Sequence, residues 1–398
     1  MKIVLTASLI VVTLAVAQSG KCKDVFDANI RPGAFNTSLY CHLLNGKNVG
    51  VIVNQTSRIS DSSLVDVLLA RQIAVKKIFV PEHGFRGRED AGAHIDNMTD
   101  SATGLPVISL YGSHKKPTPA DYDGLDVIVY DLQDVGVRFY TYISTLEYCM
   151  EAAAEQQKTF IVLDRPNPNG FYVDGPVMET KYKSFVGMQQ IPVVYGMTAG
   201  EYASMITGEH WYSKAATLQL TVIKCSGYDH TKKYQLPVSP SPNLRTMGAV
   251  YAYPSLCFFE GTKISVGRGT ALPFQQYGAP ELAGNFQYSF IPESGPGAKK
   301  PMYEHMVCYG ELVGNEPEKV LTETGGKLQL KWLIKAYKAY PEKDKFFTDF
   351  LQKLAGTAKL QYDIEHNKNV AAIRKSWQND LLKFKKMRKK YLLYRDFE

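Results

Sequence analysis

The chain has 398 residues, 45% hydrophobic and 21% charged, the balance of a globular protein rather than a disordered one. Much of its formal net charge of +7 sits in one run, Lys383, Lys385, Lys386, Arg388, Lys389 and Lys390. That run reads either as a solvated helix face or as a patch for an anionic polymer such as a cell wall; nucleic acid fits poorly with the export signal that opens the chain.

Lys2 is followed by an almost wholly apolar stretch, Ile3 to Ala17, that closes on the small-x-small triplet Ala15-Val16-Ala17. The order is that of a cleaved signal peptide over residues 1–17, and the stretch is short for a bilayer span. Lys21 before Cys22 argues against a lipoprotein site. A secreted or periplasmic protein of about 380 residues follows, expected in two domains and without stable membrane insertion.

Short β-branched runs then alternate with amphipathic stretches. Strands are predicted at Val49–Asn54, Lys77–Val80, Val107–Leu110, Asp126–Asp131 and Phe160–Asp164, with helices over Ser62–Arg71 and Thr145–Gln157. Strands alternating with helices imply an α/β fold, a doubly wound and mainly parallel sheet in a Rossmann-like domain over 18–238. Pro237, Pro240, Pro242 and Pro254 mark a linker or an irregular cleft wall. Apolar spacing of three and four in Trp332–Tyr340 and Ala371–Phe384 predicts helices in a smaller α+β domain over 239–398.

In open parallel sheets ligands bind where the strands end. Here the ends carry Asn54, then Glu82 in Pro81-Glu82-His83-Gly84, then Asp131 and Asp164, so polar groups from four strands are expected on one rim. Glu82, at the mouth of an apolar strand, suits a general acid; the alternative is a turn carboxylate paired with Arg86. Asp131-Leu132-Gln133-Asp134 with Arg138, Tyr140 and Tyr142 suits a sugar, or else a salt-bridged strand end over core tyrosines. Asp164-Arg165-Pro166-Asn167-Pro168-Asn169-Gly170 either positions substrate or makes a stiff turn. Glu201, three residues after Thr198, completes a capping box. Gly267-Arg268-Gly269-Thr270 offers a guanidinium to an anion.

Other chemistries lack their parts. The sequence has no GxSxG, no GxGxxG, no HExxH and no CxxC, so no metal and no nucleotide cofactor is expected. Cys22, Cys41, Cys149, Cys225, Cys257 and Cys308 permit disulfides without choosing a pairing, and Cys149, in a helix, fits a buried free thiol. Sequons stand at Asn36, Asn54 and Asn97.

Several long motifs resemble the NamZ-type exo-β-N-acetylmuramidase family. They are Pro81-Glu82-His83-Gly84-Phe85-Arg86-Gly87, Ser109-Leu110-Tyr111-Gly112, Asp131 through Tyr142, Leu163 through Pro168, Gly196-Met197-Thr198 with Gly200-Glu201, and Ser241-Pro242-Asn243. Glu260-Gly261-Thr262, Ser265 through Thr270 and Lys390 through Tyr394 belong to the same pattern, which runs through nearly the whole chain. The resemblance implies a Rossmann-like domain, a smaller C-terminal domain and a cleft between them. It implies release of terminal N-acetylmuramic acid (MurNAc) from peptidoglycan fragments, with neither nucleotide nor metal. It makes Glu82 the leading catalytic residue and Glu201 the second candidate.

On this reading Glu82 protonates the glycosidic oxygen, and Glu201 or Asp131 activates water or stabilises the transition state, unless the substrate's own acetamido group attacks. Arg138, Arg165 or Arg268 would pair with the lactyl carboxylate. Asn54, His83, Arg86, Gln133, Tyr140, Tyr142, Asp164, Asn167 and Asn243 complete the expected substrate contacts. The sequence departs from the family at Ala93-His94 and over Gly295–Thr324. A cell-wall-binding protein without activity, or a hexosaminidase of shifted substrate, are the competing readings.

Overall fold

The computed structural model describes residues 26–82, 85 and 98–398. His83, Arg86, the Ala93-His94 departure, Asn97, Cys22 and the N-terminal signal lie outside the described residues.

Among the described residues seven strands form the central sheet: β1 (Asn48–Val53), β2 (Ala74–Val80), β3 (Met98–Thr99), β4 (Pro106–Ser109), β5 (Val127–Asp131), β6 (Thr159–Leu163) and β7 (Leu220–Ile223). Their spatial order is β7-β6-β5-β1-β2-β4-β3, parallel throughout except for the edge strand β3. β5 is buried along its whole length and β1 along all but its first residue. Continuous apolar runs rather than alternation are what a sheet covered on both faces requires. The chain leaves β1 first toward β2 and β4 and then, from the other side, toward β5, β6 and β7. That reversal puts the topological switch point between the ends of β1 and β5.

Four helices of this half matter here. α1 (Thr37–Leu44) precedes the sheet; α2 (Leu64–Ala70) is capped by Ser63; α3 (Tyr142–Glu155) links β5 to β6; α4 (Ala199–Gly208) starts from the Thr198 capping box. A second, three-stranded antiparallel sheet, β8 (Gln276–Ala279), β9 (Tyr288–Phe290) and β10 (Cys308–Leu312), lies in the C-terminal half beside short helices. This is the Rossmann-like sheet with an α+β C-terminal portion that the sequence predicts.

Two expectations are corrected, and the open question of the cysteines is narrowed. The helix expected over Ala371–Phe384 is two, Val370–Lys375 and α6 (Gln378–Arg388), with a break at Ser376 and Trp377. Pro254 lies inside a helix, α5 (Met247–Leu256, chain order placing it before α6), and not in a linker. The five described cysteines, Cys41, Cys149, Cys225, Cys257 and Cys308, form no disulfide with one another. No helix among the described residues is long and apolar enough to cross a membrane.

The basic run is neither a bare patch nor wholly solvated. Lys385 pairs with Glu398, Lys390 with Glu209 and Lys383 with Asp380. Arg388 is fully buried, held bidentately by Asp396 at 2.8 and 2.9 Å, and its Nε donates to the Gly196 carbonyl.

Candidate active site

A cleft of about 520 Å³ opens over the carboxyl ends of β2, β4 and β5. Glu82 enters it from the turn after β2, Tyr111 and Lys115 from the segment after β4, and Tyr140, Thr141 and Tyr142 from the segment after β5. Ser241 and Leu244 come from the proline-rich stretch, which is a cleft wall. Tyr253, Glu260, Arg268, Phe274 and Phe350 come from the C-terminal half. The cleft is therefore built jointly by both halves of the chain.

Its floor is aromatic and fixed. Tyr140 and Tyr142 meet edge to face at 4.7 Å, and Tyr253 packs edge-on to Phe274 at 4.9 Å. Both tyrosine hydroxyls are anchored: Tyr140 donates to the Pro240 carbonyl at 2.8 Å, and Tyr142 accepts from Asn54 Nδ2 at 2.8 Å. Such rings offer flat apolar faces to the C–H side of a sugar while polar groups remain at the rim. Thr141 Oγ1 donates to Glu82 Oε2 at 3.3 Å, fixing the carboxylate near the first turn of α3. Arg268 lies over the Phe274 ring and donates through Nε and Nη2 to Glu260 Oε1, at 2.8 and 2.6 Å. Burial works against the Arg268 charge, but the Glu260 carboxylate outweighs it and raises the guanidinium's pKa. Lys115 stands 4.7 Å from the centre of the Phe185 ring.

The other strand-end residues converge as the sequence implies, yet they point inward. Asp131 is fully buried in a bidentate pair with Arg165, at 2.6 and 2.9 Å; burial raises the Asp131 carboxyl and Arg165 offsets part of that rise, while Asp131 raises the Arg165 guanidinium. Asp164 is buried too. It accepts from Thr198 Oγ1, Gly200 N and Tyr394 Oη, and burial raises its carboxyl to about 6. Gly200 is required there, because a Cβ would stand 2.8 Å from the Asp164 carboxyl carbon. Glu201 caps α4 through the Thr198 N–H, contacts His230 Nε2 at 3.0 Å and accepts from Leu393 N at 2.8 Å. None of these three carboxylates lines the cleft.

The remaining predicted residues divide the same way. Arg138 is wholly buried and donates to the carbonyls of Pro176, Ile191 and Leu354, so it staples three segments together. Gln133 Nε2 serves the carbonyls of Asp134 and Pro166, Asn167 Nδ2 that of Met197, and Asn243 Nδ2 that of Gly297. Gly136, at φ +77°, lies against Asn167 where a Cβ would overlap the amide. Asn54 supports the floor from beneath and is 3% exposed, which closes its sequon to a glycan. Of the predicted residues that are described, Glu82, Tyr140, Tyr142 and Arg268 line the cleft.

Comparison with known proteins agrees with this architecture along the chain. Models of the exo-β-N-acetylmuramidase NamZ N-terminal and C-terminal domains match residues 49–248 and 251–394. The chain belongs to the NamZ family. It is 38% identical over 376 residues to the peptidoglycan β-N-acetylmuramidase NamZ of Bacillus subtilis, covering 89% of each chain. Two crystal structures of DUF1343 family proteins from Bacteroides fragilis superpose with TM-scores of 0.85 and 0.76, at 43% and 30% identity. Each comparison covers 93% of this chain and all of the other.

For this NamZ-family chain the sequence reading missed Glu260 as a site residue, along with Lys115, Tyr111, Tyr253 and Phe274. The signal for Glu260 was present in Glu260-Gly261-Thr262, eight residues before Arg268, but no strand end marks it. Only the packing of the C-terminal half against the sheet brings it into the cleft. Among the described residues no group of three or more His, Cys, Asp or Glu side chains is placed to hold a metal ion.

Proposed function

We propose that the chain is an exo-acting glycoside hydrolase that releases the terminal non-reducing MurNAc of peptidoglycan fragments, with Glu82 as general acid. The observation that carries the reading is Glu82 in an aromatic cleft that also holds two cations, Lys115 and Arg268. A sugar needs the rings, its glycosidic oxygen needs a proton donor, and the lactyl carboxylate that separates MurNAc from N-acetylglucosamine (GlcNAc) needs a cation. Arg268 fits that last need. Its Nε and Nη2 are engaged by Glu260, and its Nη1 has no hydrogen-bond partner among the described residues. The activity named for the Bacillus subtilis relative supports the same substrate.

Hydrolysis of a chromogenic β-MurNAc glycoside by the purified protein tests this directly. Turnover is expected, with a loss of about a hundredfold or more in Glu82→Gln. Muropeptide binding without turnover would leave a binding protein instead. Export follows from the residues 1–17 reading: N-terminal sequencing of the exported protein is expected to begin at Gln18, and an intact Met1 would remove the cleavage proposal.

A further inference from the structure

The muramidase reading leaves open which group faces the anomeric carbon opposite the acid. The two glutamates read from the family pattern do not both reach the cleft: Glu82 does, Glu201 is spent on Thr198, His230 and Leu393. Asp131 is spent on Arg165. Apart from Glu82, Glu260 is the carboxylate found among the described lining residues of the cleft.

Resting on that reading, we propose that Glu260 is the second catalytic carboxylate: its negative charge faces the oxocarbenium-like transition state while Glu82 protonates the leaving oxygen. Three features of its setting fit the role. Glu260 sits in the short 3₁₀ turn Cys257–Gly261 that directly continues α5, so its backbone is held by a buried helix and not by a loop tip. Both Arg268 bonds converge on Oε1, at 2.8 and 2.6 Å, which orients the carboxylate; among the described residues Oε2 has a weak Cys257 Sγ contact at 3.4 Å. The side chain retains 24% of its exposure, enough for a ligand to reach it. A fixed, ion-paired carboxylate in a partly desolvated cleft stabilises developing positive charge without reorganising during the reaction.

Glu260 and Arg268 then divide one ion pair between two tasks. The carboxylate serves the reacting carbon, and Nη1 of the guanidinium, outside the Glu260 pair, serves the lactyl group. No covalent step is needed for this assignment, and it holds whether water or the substrate's acetamido oxygen attacks.

The test compares wild type, Glu260→Gln, Glu260→Ala and Glu82→Gln on β-MurNAc glycosides whose phenolic leaving groups span a range of acidity. Wild-type turnover is read first, because its absence defeats the muramidase reading and with it the Glu260 assignment that rests on it. Given turnover, Glu260→Gln is expected to lose about a hundredfold in kcat with little change in KM, at every leaving group. Glu82→Gln should recover as the leaving group becomes more acidic. Formate or azide should accelerate Glu260→Ala, a gain that a merely structural role for Glu260 would not produce. A Glu260→Gln variant that melts like wild type and keeps kcat within about threefold would overturn the proposal. So would an equally folded Glu260→Ala variant that loses activity only through KM and gains nothing from added anion. Glu260 would then be the residue that holds Arg268.

Discussion

Arginine serves two opposite purposes in this molecule, and the difference lies in what each guanidinium touches. Arg138 is sealed from water, and burial pulls its pKa down; it survives there because three carbonyls accept from it. Replacing it with Met removes those donors and strands carbonyls belonging to segments far apart in sequence. Arg138→Met is expected to cost at least about 2 kcal/mol of stability in denaturant titrations. Arg268, in the cleft, should behave oppositely. Arg268→Ala is expected to melt near wild type while lowering the preference for MurNAc over GlcNAc glycosides about tenfold, read as a ratio of kcat/KM values. An unchanged ratio would take the lactyl contact away from Arg268. The sequence grouped Arg138, Arg165 and Arg268 together because all three stand beside motif residues. What sets Arg268 apart from the other two is burial, and one of the carbonyls that holds Arg138 in its buried place, that of Leu354, lies 216 positions away.

At the scale of elements, α3 shows how a helix that serves the cleft at one end is tied down at its middle. Its N-terminal end carries the Thr141 hydroxyl, which meets Glu82, and then the ring of Tyr142. Further along, Glu147 is buried between Gln189 Nε2 at 2.5 Å and Tyr202 Oη of α4 at 3.1 Å. Burial raises its carboxyl to about 7. The folded state therefore holds a proton that the unfolded chain, with an ordinary carboxyl near 4.5, gives up earlier. The stabilisation from that proton is complete below about pH 4.5 and is lost as pH rises toward 7, amounting to roughly 3 kcal/mol at most. Glu147→Gln removes the titration. Melting temperatures of wild type and Glu147→Gln followed from pH 4.5 to 8 should diverge in the variant's favour as pH rises. Parallel curves would show that Glu147 titrates alike in both states. Elements of this kind were legible in the sequence: β1, β2, β4, β5, β6 and α3 fall within a few residues of their predicted places, whereas the edge strands β3 and β7 were not foreseen. Apolar runs announce buried parallel strands whatever lies far away. The role of Glu147 was not legible, because Gln189 and Tyr202 reach it only through tertiary packing.

For the whole molecule, the C-terminus is what turns the expected rim of catalytic carboxylates into a core. Strand ends did bring Asn54, Asp131 and Asp164 together, as the alternation of strands and helices implies. The last residues of the chain then close over part of that rim. Tyr394 Oη donates to Asp164 at 2.6 Å across 230 positions and accepts from Cys225 N at 2.8 Å. Leu393 N meets Glu201, and Asp396 neutralises the buried Arg388. Nothing in local periodicity foretells this return, so a sequence reading sees polar strand ends and assigns them to substrate. The consequence is testable because, among the described residues, these hydrogen bonds and ion pairs of the tail go to residues outside the cleft lining. Tyr394→Phe deprives Asp164 of a donor and the Cys225 N–H of an acceptor, and should cost about 1–3 kcal/mol. Removing residues 392–398 should cost far more, since it also leaves Arg388 buried without its carboxylate. In both cases the lost activity should follow the folded fraction measured by circular dichroism, with kcat per folded molecule unchanged. If Tyr394→Phe stays fully folded yet loses kcat, the Asp164–Tyr394 pair takes part in the chemistry, and the division between a reactive cleft and a structural rim fails.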